Sequence, residues 1–341
     1  MWRRNLLLLF ILGVLLFLMA AVYMGSYRPA GGVKLDTVII RPPIEVSALA
    51  VDGDDIWAGG QDGVCRIDRL TGTVKERLAG GIPMEYVKAL LVDSQGVLWI
   101  AHFQGLTRYD GTNYFTYNES NGLPDRRVNS LMADRAGRIW AGTWGGAACY
   151  DGTAWTVITK QDGLLDDMVN VTLEDRNGGL WFGSYIAPRG GLSYFNGSQW
   201  SVYTTKDVLP HNGVCDLMED QQGRIWIGTG FYDLGGAAYC SVIDGEPIDW
   251  RMLGKSDGLA GEKVRSLFQD RDGVYWIGSE YDGVVRWDGD SRQTLTVREG
   301  LSGNEIKDWL QDQDGSLWLA TEDGVTLIRQ KALVDWLKMN G

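Results

Sequence analysis

Apolar and polar positions alternate along this chain in a motif that keeps returning. A short apolar run closes on Asp, a Gly-containing turn follows, and an aromatic and aliphatic run centred on Trp comes next. "VKALLVD" (87 to 93), "VNSLMAD" (128 to 134) and "VRSLFQD" (264 to 270) are examples of the first run; "VLWIA", "RIWAG", "GLWFG" and "SLWLA" are examples of the second. Short apolar runs bounded by turn signals predict buried strands. A Gly-rich loop then leads to a third segment such as "GLTRYD" (105 to 110) or "GVVRWD" (283 to 288), and a fourth such as "WTVITK" (155 to 160) completes the unit. Four short strands at regular spacing, with no long helical period, predict one antiparallel blade.

The unit occurs seven times. Its Trp residues are Trp57, Trp99, Trp140, Trp181, Trp226, Trp276 and Trp318, at intervals of 42, 41, 41, 45, 50 and 42 by subtraction. A period in the forties with this strand content predicts an all-β, seven-bladed β-propeller. Six of the seven hairpin turns read Asp-x-x-Gly, where Asp bonds the backbone ahead of it and Gly supplies the positive φ. The last unit lacks a fourth strand after "GVTLIR" (324 to 329), whereas "DTVIIRPP" (36 to 43) precedes the first and resembles "WTVITKQD". The N-terminal strand is therefore expected to complete the last blade and remove its open edge. The seven Trp are expected to pack blade on blade and the seven Asp to hold hairpins, with no metal assigned to them.

Composition adds one exception to this picture of a β protein. Residues 5–24 form an uncharged apolar stretch of about one bilayer's helical length, preceded by Arg3 and Arg4. The organisation expected is a cytoplasmic stub at 1–4, a transmembrane signal anchor at 5–24, a linker at 25–33, the propeller at 34–330 and a tail at 331–341. Basic residues stay in the cytoplasm, which puts the propeller on the extracytoplasmic side; cleavage of the apolar segment as a signal peptide would instead release it. In the tail, Ala332, Leu333, Trp336 and Leu337 form one apolar face of a short helix, either packed under the propeller or docking a partner. The formal charge of -12 argues against nucleic acid. Cys65, Cys149, Cys215 and Cys240 lack metal-like spacing and are expected as buried, unbridged thiols.

With those motifs in place, "NGLPDRRVNSLMADRAGRIWAGTWGGAACYDG" (121 to 152) resembles the two-component regulator propeller repeat, and the resemblance extends over nearly all of 34–330. It implies an extracytoplasmic sensor propeller, of a kind often attached to histidine kinases or hybrid regulators of polysaccharide use. Such sensors usually carry a second blade array, an immunoglobulin-like module and a kinase. Only "QKALVDWLKMNG" follows the last strand here, so a signal is expected to pass through another protein.

Function in a propeller is expected where second-to-third loops and blade links gather around the axial channel. Phe103, Trp144, Tyr185, Phe231, Tyr232 and Tyr281 are placed by their loops around that mouth, suited to sugar stacking or to a protein interface, or else packed on neighbouring loops. The second residue of each first strand should point to the same mouth: Ser47, Lys88, Asn129, Asn170, Cys215, Arg265 and Lys307. Three cations in an acidic protein, with Arg189 and His102 nearby, suggest a glycan or small ligand bearing carboxylate or sulfate; solvated channel lining is the alternative. No cofactor is expected.

Catalysis has little to build on. His102 and His211 are the two imidazoles, and Glu280, Asp282, Glu322 and Asp323 are the acids that adjacent loops bring near one another. The expectation is a non-catalytic, membrane-anchored module that binds a ligand or a second membrane or envelope protein. A structural subunit of an envelope complex is the second reading, and a propeller hydrolase or lyase the third.

Overall fold

The computed structural model describes residues 34–78, 86–186 and 188–340. Seven four-stranded antiparallel sheets follow one another in chain order, with first strands at Ala48–Asp52, Ala89–Val92, Val128–Ala133, Val169–Glu174, Val214–Glu219, Val264–Gln269 and Ile306–Gln311. Each opens a blade, numbered 1 to 7 here. The fourth strand of blade 7 is Thr37–Ile40, paired Thr37 to Ile328 through Ile40 to Val325, as the N-terminal pattern predicts. Among the described residues no helix is long and apolar enough to cross a membrane; the expected stub, anchor and linker at 1–4, 5–24 and 25–33 lie outside them.

The Trp residues pack across blade boundaries. Trp181 of blade 4 is buried among Leu209, Val214, Ile225 and Ile227 of blade 5 and its link, and Trp318 of blade 7 among Val46, Leu49, Ile56 and Ala58. The Asp residues do more than hold turns: each accepts the indole Nε1–H of its own Trp, at 2.7 Å for Asp312 and 3.0 Å for Asp52, with the other five between. In blades 2 to 6 the second carboxylate oxygen accepts turn N–H groups, as Asp175 does from Asn177 and Gly179. In those five blades the carboxylate thus ties hairpin to core, and in all seven the indole donor is left with a partner.

The C-terminal helix, Gln330–Asn340, buries Leu333 and Trp336 against Trp276, Trp309, Leu317 and Ile328 of blades 6 and 7, with Ala332 and Leu337 partly covered beside them. Blade 5 departs from its sisters through longer strands, Arg224–Phe231 and Leu234–Ile243, which lift Phe231 and Tyr232 above the mouth and account for the wide interval after Trp226. All four Cys are buried free thiols.

Candidate functional site

The first strand of each blade lines the axis. In blades 3 to 7 that strand carries a β-bulge between its first and third residues, such as Val214 and Asp216, so consecutive residues both approach the channel. The resulting axial pocket has a volume of about 340 Å³, and all seven ring residues read from the sequence line it.

Their chemistry is uneven. Lys307 pairs with Glu45 at 2.6 Å and Glu305 at 3.2 Å, and Arg265 pairs with Glu305 at 3.1 Å. Lys88 makes no ion pair among the described residues; its ammonium stands 5.3 Å from the centre of the Phe103 ring, which stacks on Tyr86. Burial, and then the positive charges of Arg265 and Lys307, hold the Lys88 pKa below its ordinary value. An ammonium disfavoured in this way gains from any anion placed beside it.

Asn129 and Asn170 are committed to the wall. Their amides donate to Val169 O and Val214 O of the next blade, each at 3.0 Å. Asn129 also accepts the indole of Trp144 at 3.2 Å, and Arg127 lies 4.2 Å over that ring. The Cys215 thiol is pushed up to about 11 by burial.

Sequence reasoning missed the next residues along, Asp216 and Asp308. Strict alternation turns the third residue of the strand away from the axis, whereas the bulge brings it to the pocket wall. Asp216 accepts Leu267 N–H of blade 6 at 2.7 Å, and Asp308 accepts Leu49 N–H of blade 1 at 2.7 Å. Burial pushes Asp216 up to about 7 and Asp308 to about 6, against two backbone donors each. For Asp216 the available signal was an Asp inside an otherwise apolar run.

His102 corrects the sequence reading. It is 0% exposed, bonded through Nε2 to Thr107 Oγ1 at 2.8 Å, and its Nδ1 accepts Gln104 N–H at 3.2 Å. Nε2 therefore carries the proton of a neutral ring, and burial holds the pKa down at about 4. It brings no charge to the mouth. Arg189 is exposed and does not line the axial pocket.

Beside the axis, the mouth loops of blades 4 to 6 form one aromatic cluster. Tyr185 meets Phe231 at 6.0 Å between ring centres, His211 stacks on Phe231, and Tyr232 packs edge-on to Phe231 at 4.4 Å. Buried Lys263 pairs with Glu280 and donates to the Tyr185 hydroxyl at 2.8 Å. Tyr281 bonds Glu280 at 2.6 Å but leaves 55% of its surface exposed, and Tyr232 leaves 68%. A second hollow of about 420 Å³ lies between Tyr232 and Tyr281, with Lys255, Glu262 and Asp282 along it.

Three of the four acids weighed for catalysis are occupied, and the fourth, Asp282, has only the Ser279 hydroxyl at 3.5 Å among the described residues. Glu280 belongs to Lys263, Glu322 accepts Asn304 and Glu305 N–H at 2.8 and 2.9 Å, and Asp323 pairs with Arg41 at 2.5 Å. Among the described residues no three His, Cys, Asp or Glu cluster at metal-binding spacing.

Seven closed blades, a bulge-lined polar axis and an aromatic mouth define a seven-bladed β-propeller. The chain carries the two-component regulator propeller repeat, matched at residues 122–145, 163–185, 208–231, 258–281 and 300–323. Each match runs from a blade link through the Trp strand to a mouth loop.

Among solved structures, the chain is similar to the extracellular domain of a hybrid two-component system protein of B. thetaiotaomicron, with TM-score 0.73 and 17% identity over 86% of this chain. The chain spans 40% of the length of that extracellular domain. It is also similar to a catalytically inactive virginiamycin B lyase from Staphylococcus aureus solved with quinupristin, with TM-score 0.66 and 12% identity over 87% of this chain and 99% of that one. A third is YCF48 bound to D1 peptide, with TM-score 0.64 and 10% identity over 86% of this chain and 96% of that one. Identities this low speak for the fold alone. A comparison with curated protein sequences returns no match.

Proposed function

We propose that this protein is a membrane-tethered, extracytoplasmic recognition propeller, without catalysis of its own, which takes a small carboxylate- or sulfate-bearing ligand at its axial mouth. The observation that carries the reading is Lys88: a partly desolvated ammonium without an ion-pair partner among the described residues, in a pocket of about 340 Å³ that also holds Arg265 and Lys307. An anion there gains charge-assisted bonds that the free protein leaves unmade. Phe103 and Tyr86 offer ring faces at the same edge. The repeat family and the likeness to an extracellular sensor domain support the sensing role, and the apolar stretch at 5–24 supports the tether.

The test is calorimetric titration of the full chain in detergent with uronic-acid and sulfated saccharides, each beside its neutral counterpart. Binding confined to the acidic members, weakened at least about tenfold by Lys88→Ala, is the expected result. Equal binding of neutral and acidic sugars, or an unchanged affinity in Lys88→Ala, overturns the anionic reading. Recovery of the full chain in the membrane fraction after a salt wash, and of a chain lacking 1–33 in the soluble fraction, tests the tether.

A protein partner is the second reading, favoured by the raised blade 5 hairpin. Phe231, Tyr232 and Leu234 project there with Tyr281 beside them, all exposed in spite of their size. Co-purification of one stoichiometric membrane protein, lost in Tyr232→Ala/Leu234→Ser, distinguishes it from ligand sensing.

A further inference from the structure

Blades 3 and 5 begin their second strands alike. Arg138 pairs with the belt carboxylate Asp134 at 2.6 Å, and Arg224 pairs with Asp220 at 2.7 Å. Beyond that point they differ. Opposite Trp226 stands Tyr239, stacked at 4.6 Å between ring centres, with the Arg224 guanidinium 5.1 Å over it. Tyr275 of blade 6 closes the same space, 4.8 Å from Trp226, with its hydroxyl 2.9 Å from Asp220.

Opposite Trp140 stands Cys149, and the blade 4 residue equivalent to Tyr275 is Leu180, paired with Phe195 as Tyr275 is with Trp287. The other six blades put Arg, Tyr or Leu where blade 3 has Cys. The two tyrosine positions that pack on Trp226 thus carry no ring at the boundary of blades 3 and 4, where Phe182 meets Trp140 from a neighbouring position at 5.8 Å. The boundary has not closed over the loss: a groove of about 640 Å³ remains, floored by Cys149 and Leu180 and walled by Ile158 and Trp200, with Arg138 at its edge. Asp151 and Asp162 line its rim, and their carboxylates bond only groups of their own turns, Thr153 with Ala154 and Thr159 respectively.

We propose that this groove binds a small aromatic amine. The ring takes the volume that Tyr239 and Tyr275 fill one boundary away, against Trp200 and beneath Arg138, where apolar burial and the guanidinium both favour a π face. The ammonium faces Asp151 and Asp162, two carboxylates without a cation of their own. The repeat itself supplies the template for the ligand, since the same backbone frame holds a phenol ring in blade 5. This site is separate from the axial pocket and shares no residue with it.

Tyramine titrated into the full chain, read by calorimetry and by indole fluorescence, tests the assignment. Saturable binding with a Kd of about 1 mM or tighter is expected. Cys149→Tyr restores the first of the two blade 5 rings, the one at the Tyr239 position, and should weaken binding at least about tenfold; Val157→Trp, at an exposed position on the groove wall, should do the same if the first variant does not fold. Asp151→Asn should weaken tyramine but leave p-cresol, which lacks the amine, unaffected. Absence of saturation, or tyramine affinity unchanged in a folded Cys149→Tyr or Val157→Trp protein, overturns the proposal. Lys88→Ala should leave tyramine binding intact, so failure here and failure at the axial mouth are read separately.

Discussion

The Trp–Asp belt and the axial ring are built from the same seven repeats, yet they obey opposite rules. In the belt every blade has the same two residues and the same indole-to-carboxylate bond. In the ring the seven positions read Ser, Lys, Asn, Asn, Cys, Arg and Lys. A closed ring needs equal wedges, so the residues that set the wedge angle repeat. The axis needs only to be lined, so each blade is free to carry different chemistry there. Identity between blades reports geometry, and difference between blades marks positions that the geometry leaves free.

The comparison breaks first at the belt. Trp181→Ala removes a fully buried indole from the blade 4 boundary and should cost about 3–5 kcal/mol in urea unfolding. Trp226→Ala should cost a similar amount if the belt positions are equivalent, and a difference as large as either cost would show that they are not.

Acid should act next, through His102. Its folded pKa of about 4 lies below the ordinary 6.5, so the unfolded chain takes up the proton first. Stability from this group is full above pH 6.5 and is lost as pH falls toward 4, by on the order of 3 kcal/mol. Asp216 and Asp308 work in the opposite sense: their pKa values are raised, so their penalty is present at neutral pH and fades as pH drops below about 7 and 6. Comparing urea midpoints from pH 7 to pH 4 in wild type and His102→Gln isolates the imidazole; parallel curves would show that it stays neutral in both states or charged in both.

Asp175→Ala should cost about 1–3 kcal/mol, because it leaves the buried Trp181 donor and two turn amides unpaired. Lys88→Ala should shift stability by no more than about 0.5 kcal/mol while removing anion binding, the sharpest separation between ring and belt.

Blade number, blade order and the closing strand were legible in the sequence because they depend on spacing, and the Trp interval records spacing directly. The ring was legible for a related reason: the second residue of each first strand falls at one height on the axis whatever its identity. The bulge was not, since its one extra residue per strand leaves no turn signal, and Asp216 and Asp308 were missed with it. His102 was misplaced because its loop position suggested exposure.

The sister positions held the correction. Thr143, Thr229 and Thr321 occupy the same place, are buried, and bond their loop carbonyls at Gly146, Gly236 and Gly324. His102 substitutes an imidazole for that hydroxyl and turns inward to Thr107.

The closing strand has a consequence in time. Thr37 pairs with Ile328, so 291 residues separate the partners by subtraction, and the ring cannot shut until nearly the whole chain has left the ribosome. Joining ends that far apart costs about 5 kcal/mol of chain entropy by simple loop-closure scaling, and contacts of such separation form late. The strand at Thr37–Ile40 must therefore wait for a partner made much later. Until then Val38 and Ile39 sit on an unpaired strand, the kind of edge that invites association with other chains.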